Sequence, residues 1–119
     1  MITILCYPKC GTCQKAEKWL KENNIDYNYR PIKEENPSVE ELTTWFLDSG
    51  LPVNRWFNTS GKLYKEHNIK DVIKTTSHNE LLKILASDGM FVKRPILIAN
   101  GKVTTGFKEA EWLEILGSK

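Results

Sequence analysis

Cys10-Gly11-Thr12-Cys13 sets two thiols three positions apart, so that on a helix they lie one turn from each other. That is the spacing of a dithiol redox motif: one sulfur attacks a substrate, and the second closes a disulfide behind it. A sulfur on the first turn of a helix meets unpaired backbone N–H groups and the positive end of the macrodipole, which favours thiolate over thiol. Cys10 is therefore the expected nucleophile, with Lys9 adding positive charge nearby. Cys13, further along the helix and more buried, is the expected resolving thiol. Gly11 lets a substrate approach the backbone closely, and Thr12 completes the substrate-contacting pair between the sulfurs.

With Cys6 included, the run reads CxxxCxxC, a spacing also used by radical enzymes that hold an iron-sulfur cluster. Those enzymes resemble barrels of about 200 residues or more, and this chain has 119. Zinc would need a fourth ligand, and neither His67 nor His78 offers one at a suitable spacing. Cys6 closes an apolar run and reads as a small buried hydrophobe, so no metal and no bound cofactor are expected. Three cysteines confined to the first thirteen residues do not make a secreted disulfide scaffold. The start has no basic segment followed by a long apolar one, and no run could span a bilayer, so the expectation is a cytoplasmic protein without a membrane partner. A net charge of +2, with lysines interleaved among glutamates, gives no stripe for nucleic acid.

The elements that must position these sulfurs follow from periodicity. Met1 to Cys6 is a strand buried on both faces, stopped at Tyr7-Pro8. From Thr12 the pattern turns helical, with Cys13, Ala16, Trp19 and Leu20 on one face and Asn23-Asn24 ending it. Ile25 to Ile32 alternates as a second strand, parallel to the first through a right-handed crossover. Ser38 and Glu41 have capping-box spacing before a helix that Gly50 stops in the left-handed conformation, and Ser77 and Glu80 repeat the box before a helix with Gly89 as its stop. Between them, Leu51 to Thr76 is broken by Pro52 and Gly61, with short helical turns around Asn54 to Phe57 and Lys62 to His67. Asn58, Thr59 and Ser60 form a hydrogen-bonding cluster there that could wall a site. Pro95 to Ala99 and Lys102 to Thr105 flank Asn100-Gly101, the dipeptide of a type I′ hairpin, and a last helix over Lys108 to Leu116 buries Ala110, Leu113 and Leu116 before Gly117 releases the chain.

The summed order, βαβ, a helical segment over about 38–90, then ββα, predicts an α/β thioredoxin-like fold: one domain over residues 1–119 with a four-stranded mixed sheet. In such a sheet the loop before the third strand carries a cis proline facing the reactive sulfur. A cis Arg94-Pro95 bond is therefore expected, with the peptide edge at Pro95 offered to substrate and Arg94 close to Cys10. Its guanidinium would bind an anion. The four tryptophans, Trp19, Trp45, Trp56 and Trp112, read as core or rim packing, and His67 and His78 as solvent-facing.

Tyr7-Pro8-Lys9-Cys10-Gly11-Thr12-Cys13, Glu35-Asn36-Pro37 and Lys93-Arg94-Pro95-Ile96, in that order, resemble the glutaredoxin-linked type of the arsenate reductase family, including its Spx-like branch. The resemblance spans nearly the whole chain. It implies that Cys10 attacks a small oxyanion or a disulfide, that Arg94 clasps negative charge, and that a thiol reductant supplies electrons, whether a glutathione-like thiol, glutaredoxin or thioredoxin. Asn58 stands where that family has a second arginine and Gly106 where it has a third, so Asn58 would add a hydrogen bond in place of a charge. The Spx-like branch implies an alternative: a redox-sensing regulator that binds the RNA polymerase alpha subunit, with Cys10 and Cys13 as the switch. Gly50 matches a glycine of that branch's polymerase surface, although helix termination already accounts for it.

Overall fold

A computed structural model describes residues 2–117. Strand β1 (Thr3–Cys6) lies at the centre of the molecule because its side chains are apolar on both faces: Ile4, Leu5 and Cys6 are all fully buried. It hands over through Tyr7 to Cys10 to helix α1 (Gly11–Glu22), which buries Cys13, Ala16 and Leu20. Asn24, in the left-handed conformation at φ 55, turns the chain back, and the Ile25 N–H still bonds to the Leu20 carbonyl at 2.9 Å. The turn consumes residues that the alternation assigned to a strand, so β2 is shorter than expected, Asn28–Pro31. It is an edge strand, parallel to β1 with Ile4 opposite Tyr29. Tyr29 is partly exposed there.

Helix α2 (Val39–Ser49) starts on the complete capping box: Ser38 Oγ accepts from the Glu41 N–H and Glu41 Oε1 accepts from the Ser38 N–H. Glu41 also takes the Arg30 guanidinium in two bonds, 2.7 and 2.9 Å, which ties β2 to α2. The pair raises the Arg30 pKa and lowers that of Glu41. Gly50 ends α2 at φ 65, as a left-handed cap. A 3-10 turn (Val53–Trp56) and helix α3 (Lys62–Glu66) fall where short turns were expected. Helix α4 (Ile69–Thr75) was not expected in that polar stretch; Ile69 is buried, and Val72 and Ile73 pack against the same core.

Helix α5 (His78–Ser87) begins at the Ser77 cap, but Gly89 is not its stop. Asp88 ends it in an extended conformation and then caps a second 3-10 turn (Gly89–Phe91), accepting from the Met90 N–H at 2.8 Å. Gly89 is glycine for a different reason: a Cβ there would come within 2.2 Å of the Ile32 carbonyl oxygen. Strands β3 (Ile96–Ala99) and β4 (Lys102–Thr105) form the hairpin, with Asn100 and Gly101 both at positive φ as a type I′ turn requires. Helix α6 (Glu109–Gly117) buries Trp112, whereas Ala110 and Leu113 face solvent. The expected face is rotated because the indole claims the inward position. Its N–H reaches the Gly106 carbonyl at 3.0 Å, and its ring meets Phe107 and Trp19 edge-on at 5.0 and 6.2 Å.

The sheet order is β2-β1-β3-β4, with β3 antiparallel to both of its neighbours, which is the four-stranded mixed sheet of a thioredoxin-like fold. Alternation along β1 and β3 divides the core. Ile4, Cys6 and Leu97 point to α1 and α6, while Leu5 and Ile96 point to the helices between β2 and β3. Full burial of each such aliphatic side chain contributes roughly 1.5–3 kcal/mol, enough to fix the register from which both cysteines are presented. Among the described residues no helix is long and apolar enough to cross a membrane.

Candidate active site

Cys10 is the N-cap of α1, in extended conformation at φ −86, ψ 116. Its position is set by the backbone: its N–H donates to the Tyr7 carbonyl, its carbonyl accepts from the Gln14 N–H, both at 3.0 Å, and the Gln14 side chain closes the loop onto the Pro8 carbonyl at 2.9 Å. The half-exposed sulfur borders a cavity of about 660 Å³, and Thr12, Asn58 and Arg94 line the same cavity. Four of the seven expected site residues thus share one space. Cys13 lies behind Cys10, 1% exposed, within the core cluster that holds Cys6. Gly11 is exposed with open space around it, and Pro95 is buried, its carbonyl accepting from the Gly106 N–H at 2.8 Å; neither lines the cavity.

The Arg94-Pro95 bond is cis, as expected. Arg94 stacks over the Tyr7 ring at 5.5 Å and donates through Nη1 to the Met90 sulfur at 3.6 Å; its buried Nε has no protein partner. Both partners are uncharged, so the guanidinium keeps its full charge for whatever enters. Asn58 reaches the wall through backbone bonds that stitch its loop to the one carrying Arg94: the Asn58 N–H donates to the Phe91 carbonyl at 2.8 Å and the Lys93 N–H to the Trp56 carbonyl at 2.9 Å. Gly61 packs closely beside it: a Cβ there would meet Asn58 Nδ2 at 2.6 Å and push the amide aside. Gly106, at φ 78, borders a neighbouring cavity of about 470 Å³; an arginine at that φ would be strained. Thr59 also falls in that second cavity. Lys33, Lys62 and Lys93 also line the first cavity, together with Ser60, Leu63, Asp88 and Met90 among others. Sequence reading quoted Lys93 only as part of the Arg94 motif and did not single out Lys33 or Lys62, because one lysine looks like another until the fold gathers them.

The donors that favour an anion converge on Cys13, one turn further in than the sequence places the activated sulfur. Its thiol is pulled down to about 7, chiefly by a hydrogen bond from the Cys6 thiol; burial opposes this, and the Tyr7 backbone N–H, the Cys10 thiol and the charge of Arg94 assist. Cys6 is pushed upward by the same bond and by burial, so it keeps its proton and acts as the donor. Cys6 is therefore more than filler at a strand end. Cys6→Ala should raise the pKa of Cys13 from about 7, because the largest lowering influence is removed. Followed by the pH dependence of thiolate absorbance at ~240 nm in a Cys10→Ser background, which needs no reagent to reach the buried sulfur, the midpoint should move up toward the ordinary 9.0, and an unmoved midpoint would contradict the assignment. Linkage has the same sign. The native state releases the proton first, so stability from this thiol grows as pH rises from about 7 to 9.0 and is absent below, and Cys6→Ala should flatten that rise.

The sequence profile of the ArsC family matches residues 5–115. The protein YusI of Bacillus subtilis (strain 168) is 48% identical over 113 residues, covering 95% of this chain and 96% of its own length. Regulatory protein MgsR of the same strain is 30% identical over 118 residues, covering 99% and 92%. The solved arsenate reductase of Vibrio cholerae superposes with a TM-score of 0.81 at 26% identity, covering 98% of this chain and 95% of that one.

Proposed function

The chain belongs to the ArsC family, and from that membership together with the site geometry we propose that it is a cytoplasmic thiol-dependent reductase with Cys10 as nucleophile and Cys13 as resolving thiol. The observation that carries this reading is the pairing of a cavity-facing sulfur with a buried, acidic one a single helical turn behind it. Cys10 gives its proton to the Cys13 thiolate to which it is hydrogen-bonded and attacks one sulfur of a disulfide, forming a mixed disulfide and releasing the other half, which takes the proton back from Cys13 and leaves it a thiolate. The Cys13 thiolate then attacks Cys10, expels the bound half, and leaves the Cys10–Cys13 disulfide. Two electrons have passed to the substrate, and an external thiol, whether thioredoxin, glutaredoxin or a glutathione-like molecule, restores the dithiol. Arg94 and the start of α1 stabilise the negative charge that develops, with Asn58 supplying a hydrogen bond. A small oxyanion is the other substrate class. It would have Arg94 as the only guanidinium among the described lining residues, which favours the disulfide.

Cys13→Ser tests the order of events. Treated with a small disulfide, it should accumulate one adduct on Cys10, visible by mass spectrometry, whereas the native protein should lose two hydrogens and carry no adduct. Accumulation of the adduct on another cysteine, or on none, would overturn the assignment. A second reading is favoured by the likeness to MgsR, named as a regulatory protein: the same switch gates binding to the RNA polymerase alpha subunit. It requires polymerase subunits to co-purify differently with oxidised and reduced protein.

A further inference from the structure

We propose that Met90 is a redox modification site: a hydroperoxide converts its thioether to the sulfoxide, which takes the Arg94 guanidinium out of use and slows the chemistry at Cys10. The modification stands on the geometry around Met90, and its effect on turnover rests on the reductase reading above. Met90 is half-buried and lines the same cavity as Cys10, so a small oxidant that reaches one sulfur reaches the other. Its backbone is pinned. The Met90 N–H donates to Asp88 Oδ1 at 2.8 Å, the Phe91 N–H donates to the Asp88 carbonyl at 3.0 Å, and Gly89 sits so close to the Ile32 carbonyl that no Cβ would fit. The side chain is thereby held where its sulfur accepts from Arg94 Nη1 at 3.6 Å. A thioether is a weak acceptor. The guanidinium is otherwise held loosely, with the Tyr7 ring beneath it at 5.5 Å and a buried Nε that has no protein partner.

Oxidation replaces this weak acceptor with a strong one. The sulfur gives up an electron pair and forms an S–O bond with one oxygen of the hydroperoxide; the O–O bond breaks, and the other oxygen leaves as water or an alcohol. The sulfoxide oxygen is polar, and the cationic N–H already directed at that sulfur makes a charge-assisted bond to it. An N–H···O bond of about 2.9 Å must be fitted where sulfur and Nη1 now stand 3.6 Å apart, so thioether and guanidinium rearrange together while the backbone stays pinned. A guanidinium held by the sulfoxide is no longer free to stabilise charge that develops at Cys10. The order of events follows from reactivity and exposure. The cysteine pair is oxidised first and closes its disulfide; Cys6 is fully buried, which leaves Met90 as the sulfur still open on the cavity wall. Repair also differs. Thiol donors reopen the disulfide, whereas the sulfoxide waits for a methionine sulfoxide reductase, so Met90 keeps the protein slow after its dithiol has been restored.

The test starts from the Cys10–Cys13 disulfide form, treated with hydrogen peroxide and then given back its thiols with dithiothreitol, which leaves a sulfoxide in place. Peptide mapping should find one added oxygen on Met90, gained at a rate comparable with that of free methionine, and separates it from Met1, the other methionine of the sequence. Thiol titration checks that Cys6, Cys10 and Cys13 are all still free. Two readouts follow. The first needs no reductase activity: the rate of Cys10 alkylation by anionic iodoacetate relative to neutral iodoacetamide, which reports the positive charge available beside the sulfur. Oxidation should lower that ratio about 3–10-fold, a modest factor because the site is open to water, and methionine sulfoxide reductase should restore it. The second is disulfide turnover, which should fall by a similar factor. In Met90→Leu neither readout should respond to peroxide, whatever its starting value. An unoxidised Met90, an unchanged ratio, unchanged turnover in an active protein, or an equal response in Met90→Leu would overturn the proposal and leave the reductase reading standing. A ratio that falls in a protein that cleaves no disulfide before or after treatment would keep the modification site and remove the reductase reading.

Discussion

Cys10→Ser should lower disulfide-reductase turnover on the order of 10³-fold or more while leaving the fold unchanged. A serine hydroxyl is not ionised near neutral pH, and only the ionised sulfur displaces a thiolate from a disulfide. Nothing nearby can substitute. Cys13 is 1% exposed and Cys6 fully buried, so neither sulfur can be reached by a substrate without local opening. The bonds that shape the loop at position 10 are made by the backbone, to Tyr7 and from Gln14, and they survive the exchange. The thermal midpoint should therefore stay within about 2 °C of the native value, an exposed-site effect of under about 0.5 kcal/mol. Turnover measured with thioredoxin, glutaredoxin and a low-molecular-weight thiol as alternative donors is the check. Full activity with each of them would end the assignment of Cys10.

Much of this site could be read from residue order because each signal had one local cause. The CxxC after an apolar strand fixed the two sulfurs at the start of a helix, Ser38 and Glu41 fixed the start of the next, and Asn100-Gly101 fixed the hairpin; all three depend on backbone chemistry within four residues. What remained hidden depends on neighbours far apart in sequence. The donor that makes Cys13 acidic is Cys6, on a different element, and the cations around Cys10 come from loops that only the tertiary fold brings together. The last helix shows the same limit: Leu113 and Ala110 match an apolar face, but Trp112 has a carbonyl and two aromatic rings waiting for it, and its burial sets the rotation. Helix α4 was missed because Ile69, Val72 and Ile73 are too few to outweigh a polar composition until Phe91 and its neighbours provide a core.

Gly89→Ala should destabilise the protein by about 3 kcal/mol and also impair the site. The glycine reads from sequence as a helix stop, a role in which alanine would cost about 1–2 kcal/mol. Its actual surroundings are harsher. An added Cβ would lie 2.2 Å from the Ile32 carbonyl oxygen and 2.9 Å from its carbon, and because the obstacle is backbone, one segment must move. On one side Ile32 is fully buried and its N–H is bonded to the Cys6 carbonyl at 2.9 Å, so yielding there disturbs the strand that leads to the cysteines. On the other side the yielding segment is the 3-10 turn that carries Met90, whose sulfur receives Arg94, and Phe91, whose carbonyl holds Asn58. Movement in that direction withdraws the guanidinium and the amide from the cavity together. The expected result is a thermal midpoint lower by about 10 °C, with weakened substrate capture in whatever fraction stays folded. A variant of native stability and native KM would show that Gly89 does only what a helix stop needs, and the close approach to Ile32 would then have no bearing on the site.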